Sequence, residues 1–184
     1  MNVRLATLAL LAMSLAKPEI SPPTVRKVQQ LLATLPHRHI SFQLWENEIN
    51  DYLRYSLKAT PRPGVQSMTM KVFPHNYIST YTVVDFDAVE RWKPGTIPTL
   101  LRPLLSGRKS VWVDCRFQIA DGHLTFSVEK AYYDNVRLPA FFVTEAIRIV
   151  AARQPEKYDT SKPLPLPFGL RQLSTEAHVI NGRN

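Results

Sequence analysis

Residues 111–129 read VWVDCRFQIADGHLTFSVE, and their reading decides the fold. Val111, Val113, Cys115, Phe117 and Ile119 alternate without a break against Trp112, Asp114, Arg116 and Gln118. A period of two places the first set on one face of a strand and the second on the other. Asp121-Gly122 then supplies a dipeptide that accepts the positive φ angles of a tight hairpin turn. Leu124, Phe126 and Val128 alternate in turn with Thr125, Ser127 and Glu129. The segment is therefore an antiparallel pair with one apolar and one polar face. Cys115 falls on the apolar face, as a small buried hydrophobe rather than a reactive thiol.

Working outward, the same logic places the neighbouring segments. Asp134-Asn135 marks a second turn, and Pro139 opens a helix from Ala140 to about Arg153 that buries Phe142, Val143, Ala146, Ile147 and Val150. The PLPLP run at 163–167 cannot be helical and reads as an extended strap, and Leu170 to Ile180 alternates weakly as one last strand. Upstream, Ile97, Leu100, Leu101, Leu104 and Leu105 share helical spacing before Ser106-Gly107. Val65–Phe73 and Tyr77–Phe86 form another hairpin around Pro74-His75-Asn76, with Met68, Met70 and Val72 on one face. Thr24–Leu35 is an amphipathic helix with Thr24 as its N-cap. Ile40, Phe42 and Leu44 alternate as a short strand that runs into a helix carrying Trp45, Ile49, Tyr52, Leu53, Ser56 and Leu57 on one stripe. Antiparallel strands with helices gathered on them make an α+β domain. The expectation is a curved antiparallel sheet of about five strands, wrapped around or packed on a long helix, with two or three shorter helices.

Bulk composition narrows the setting. Leu5–Leu15 is an apolar run behind Arg4, and Ser14 and Ala16 supply small residues at −3 and −1, so residues 1–16 read as a signal peptide. Residues 17–184 then form one domain, with 17–23 as a flexible N-terminus. The sole cysteine, Cys115, excludes an intramolecular disulfide, and the 168 residues after Ala16 are enough for a core without one. Beyond residue 16, 22 Lys+Arg face 15 Asp+Glu, a formal charge of +7 dispersed over several segments. Such a surface suits transient contact with an anionic membrane, while export argues against nucleic acid. The protein is expected to be periplasmic or secreted.

Catalytic patterns are sparse. There is no G-x-S-x-G, and the six glycines form no phosphate loop. His37 and His39 could be half of a metal site, but no third ligand stands at useful spacing. Glu46 and Glu48 lie two apart on a helix and so point to different faces; the helix dipole explains them better than acid–base chemistry. No catalytic residues, metal or cofactor are assigned.

Ile40-Ser41-Phe42-Gln43-Leu44-Trp45-Glu46-Asn47-Glu48-Ile49-Asn50-Asp51-Tyr52-Leu53 resembles the strand-to-helix signature h-x-h-x-h-[ST]-E-x-E-[LI]-N-x-[YL]-L. That signature opens small exported bacterial domains of the tubular lipid-binding (TULIP-like) type. The resemblance extends over about residues 40–180, through a hairpin ending near Val84-Asp85-Phe86-Asp87, the Asp121-Gly122 hairpin and Leu138-Pro139 before a helix. Trp45 stands where the family has Ser or Thr, which removes the usual side-chain cap. The resemblance implies a long helix wrapped by a curved sheet, enclosing an apolar groove for acyl chains. The residues expected to line it are Ile49, Tyr52, Leu53, Leu57, Met68, Met70, Val113, Phe117, Phe126, Val128, Phe142 and Ala146. The expected function is non-enzymatic binding of a lipid or other apolar small molecule. A solid-core envelope protein-interaction or assembly module is the alternative. A small hydrolase using His37 or His39 as base ranks third.

Overall fold

The computed structural model describes residues 21–95, 97, 99, 102–103, 105–139, 141, 143, 162–166 and 169–184. The expected signal peptide, the helix over 140–153 and most of the leucine-rich segment at 97–105 lie outside the described residues. Among the described residues the chain is α+β, with three helices and two antiparallel sheets. None of these helices is long and apolar enough to cross a membrane.

Helix α1 (Pro23–Thr34) begins with Pro23 in its first turn, where a missing N–H costs nothing. Its N-cap is Pro22, not Thr24 as the sequence suggested. Thr24 instead donates its hydroxyl to Asp51 Oδ2, tying α1 to α2 (Glu46–Ala59). Strand β1 (Ser41–Trp45) runs directly into α2. The indole of Trp45 carries no acceptor, so only half of a capping box forms: Glu48 Oε2 accepts the Trp45 N–H at 2.9 Å. The same carboxylate takes Lys27 Nζ at 2.7 and 2.8 Å. Beneath these polar ties Val25, Val28, Ile49, Tyr52 and Leu53 pack together. Full burial of a side chain such as Leu53 contributes roughly 1.5–3 kcal/mol.

The larger sheet holds β2 (Val65–Phe73), β3 (Tyr77–Asp85), β4 (Arg108–Ala120), β5 (His123–Tyr133) and β6 (Val136–Leu138) in chain order. A two-residue strand, β7 (Leu164–Pro165), pairs with His123 and Leu124 on the same edge of β5, so the proline strap is extended at these two residues, as expected. The hairpin turns fall where they were read. Asp121 and Gly122 take φ of 50° and 71°, and Asp134 and Asn135 take 46° and 66°. Between β3 and β4 lies a short helix missed in the sequence, α3 (Phe86–Trp92), whose Ala88 N–H is capped by Asp85 Oδ1 at 2.9 Å.

The second sheet corrects the single-sheet expectation. Leu170–Ile180 is not one strand but parts of two, β8 (Gln172–Glu176) and β9 (Val179–Arg183), reversed at Ala177-His178. Strand β9 lies between β1 and β8, giving the order β1-β9-β8. This sheet docks on the end of β2, where the His178 N–H donates to Val72 O at 3.0 Å and Thr175 Oγ1 to Phe73 O at 2.6 Å. Helix α2 covers the adjoining stretch of that edge: Asn50 pairs with both backbone groups of Met70, and Glu46 Oε2 accepts the Val72 N–H. The Met70–Phe73 end of the β2 edge is thereby closed to unwanted pairing.

Candidate functional site

The apolar interior is built as two clusters. One holds Val25, Val28, Leu44, Ile49, Tyr52, Leu53, Met70 and Val72; the other holds Leu35, Phe117, Leu124, Leu166 and Leu170. At their seam lies a hollow of about 100 Å³. Helices α1 and α2 supply Val28, Ile49 and Tyr52, and the smaller sheet supplies Phe42, Leu44, Leu173 and Ile180. The larger sheet closes the rest with Met70, Ile78, Cys115, Phe117, Leu124 and Phe126. Phe42 and Ile78 pack against both clusters and so bridge the seam.

No charged residue lines this space. Its two titratable groups are held neutral by burial. Desolvation pushes the Cys115 thiol up to about 11, aided by the negative charges of Asp114 and Glu129, and it raises the Tyr52 phenol. The site can therefore take apolar matter and cannot solvate an ion. The volume exceeds the ~30 Å³ share of one water and approaches the ~150 Å³ of an engineered dry cavity in another protein that binds benzene.

One wall depends on a glycine. Gly182 of β9 pairs with Phe42 of β1, and a Cβ built on Gly182 would meet the Phe42 ring at 2.2 Å. The absence of a side chain there is what lets the ring lie across β9.

Of the residues expected to line a groove, Ile49, Tyr52, Met70, Phe117 and Phe126 meet at the hollow. Leu53 is buried within the first cluster, off the wall. Leu57, Met68, Val113 and Val128 are half-buried and also stand off it. On β5 the register slips between Asp114 and Cys115, leaving Glu129 unpaired, so the face Val128 shares with Phe126 does not continue evenly along the hairpin. Phe142 and Ala146 lie outside the described residues. Sequence reading missed Val28, Phe42, Leu44, Ile78, Cys115, Leu124, Leu173 and Ile180 as wall residues. Val28, Phe42, Leu44, Cys115 and Leu124 stood on faces already read as apolar; what was lacking was the partner that each would meet.

The candidate chemical residues are dispersed. His37 and His39 are exposed, and among the described residues no three His, Cys, Asp or Glu side chains converge as a metal site requires. Glu46 accepts from Val72 N–H and His178, and Glu48 from Trp45 N–H and Lys27, so both carboxylates hold elements together. Comparison of the chain with protein-family models, curated proteins and solved structures found no match.

Proposed function

We propose that the chain is an exported, TULIP-like protein that binds a lipid or other apolar ligand in the hollow between its two sheets. The observation that carries this reading is an uncharged space of about 100 Å³ at the seam of two core clusters. An apolar hollow of that size leaves dispersion contacts unmade that an apolar guest would supply. Each buried ligand methylene contributes about 0.8 kcal/mol. The space suits the end of an acyl chain or a small ring, and Met70 on its wall adapts to guests of varied shape.

In this reading α2 is the helix around which the sheets are rolled. It grips the β2 edge through Asn50 and Glu46 and lends Ile49 and Tyr52 to the wall. The protein works in the periplasm or outside the cell, without a cofactor. Its dispersed positive charge favours transient contact with an anionic membrane surface, at about 1 kcal/mol per basic residue near the lipid. Organic extraction of the purified mature protein, followed by mass spectrometry, tests the proposal. A co-purifying lipid or saturable uptake of a fluorescent fatty acid is expected; the absence of both would refute it.

A further inference from the structure

The face of the larger sheet opposite the hollow carries a second pattern. Register aligns Thr69, Tyr81, Trp112, Tyr132 and Arg137 in one row across β2, β3, β4, β5 and β6. Tyr81 and Trp112 are each 43% exposed, and the Trp112 and Tyr132 rings lie 6.1 Å apart. Three neighbouring strands place the aromatics over a platform on the order of 10 Å across. The adjoining row is Lys71, Ser79, Asp114 and Lys130.

Two features give this platform a chemistry. Trp112 Nε1 donates to Ser79 Oγ and to Asp114 Oδ1, so the only polar atom of the ring is engaged within the sheet. Its exposed surface is left for stacking, which suits the C–H face of a pyranose over the electron-rich ring. Beside the rings, a hollow of about 210 Å³ is lined by Thr69, Lys71, Ser79, Tyr81 and Trp112. It sets hydroxyl and ammonium groups next to aromatic faces, the two surfaces that a sugar ring presents.

Charge narrows the occupant. Lys71, Lys130 and Arg137 are exposed around the row and make no ion pair or hydrogen bond among the described residues. Asp114 is buried beside the row and also accepts a hydrogen bond from Tyr77. Those bonds engage it within the sheet, and it stands outside the lining of the hollow, so the charge offered to a ligand at the rim is positive. We propose that this face binds an acidic oligosaccharide, one pyranose ring in the hollow and the next on Trp112 and Tyr132, with its carboxylates reaching the rim cations. The platform lies across the sheet from the apolar hollow, so this proposal stands or falls independently of the lipid reading.

Calorimetric titration with a short oligogalacturonate tests it, with the neutral oligogalactoside and an oligothymidylate as comparisons. Saturable binding of the acidic sugar is expected, weakened about tenfold or more by Tyr81→Ala and by Trp112→Ala. Circular dichroism checks that both variants fold; Tyr81→Ala leaves the Trp112 hydrogen bonds intact and serves if Trp112→Ala does not. Lys71→Gln should weaken the acidic sugar severalfold. No binding, or unchanged binding in Tyr81→Ala, would overturn the proposal. So would equal affinity for the neutral sugar, or tighter binding of the oligothymidylate that depends on the same rings.

Discussion

Asn50 satisfies both backbone groups of Met70: its Nδ2 donates to the carbonyl and its Oδ1 accepts the N–H, each at 2.8 Å. A side-chain amide thus replaces the strand that an edge would otherwise seek. Because Met70 is buried and lines the hollow, the same bond sets one wall of the site. Asn50→Leu leaves a buried donor and acceptor unpaired and should cost roughly 1–3 kcal/mol. The urea midpoint of the purified variant measures that loss. An unchanged midpoint would show that α2 does not hold the β2 edge.

Gly182→Ala places a methyl against the Phe42 ring, 2.2 Å away before any adjustment. The ring must turn toward the hollow, or the pairing of β1 with β9 must open. Overpacking of this kind costs roughly 1–3 kcal/mol. Thermal unfolding should show the loss, and uptake of an apolar dye should fall with it.

Much of this arrangement is legible in the chain, and the rest is hidden for definable reasons. The β4–β5 hairpin follows from uninterrupted alternation and an Asp-Gly turn, both local signals. The β8–β9 hairpin turns on Ala177-His178, with His178 at a φ of 62°. Neither residue is a turn signal, so two strands read as one. Pairing of Phe42 with Gly182 spans most of the chain, and no local pattern announces it. Helix α3 was readable in principle from Asp85, an N-cap residue before Phe86, but its seven residues are too few to show a period. The candidate wall was half visible for the same reason: apolar faces are local, and what they face is not.

Alkaline pH should weaken the fold through groups that burial holds protonated. The Cys115 thiol is pushed up to about 11 in the native chain, whereas an unfolded thiol titrates near ~8.5. The unfolded chain therefore releases its proton first, and stability present below about pH 8.5 drains away until about pH 11. The full effect is about 3 kcal/mol, to which Tyr77, raised to about 12 by burial and by Asp114, adds between about pH 10 and 12. Urea midpoints across this range should fall, and Cys115→Ala should fall less steeply. Iodoacetamide at pH 8 should label the unfolded chain and spare the native one.

Glu48 is the shared partner of the Trp45 N–H and Lys27. Glu48→Ala removes the cap of α2 and should cost about 1–2 kcal/mol. Lys27→Ala removes only a half-exposed ion-pair partner and should cost well under 1 kcal/mol. Comparable losses in the two variants, measured by urea unfolding, would contradict the assignment of the cap to Glu48.

Methyl NMR during titration with octanol reads the hollow itself. The methyls of Met70, Ile49, Ile78 and Ile180 line it, while Met68 stands off its wall. Those four are expected to shift together and saturate at one equivalent, with the Met68 methyl nearly still. Spectra that do not move, or that move equally at Met68, would contradict a central apolar site.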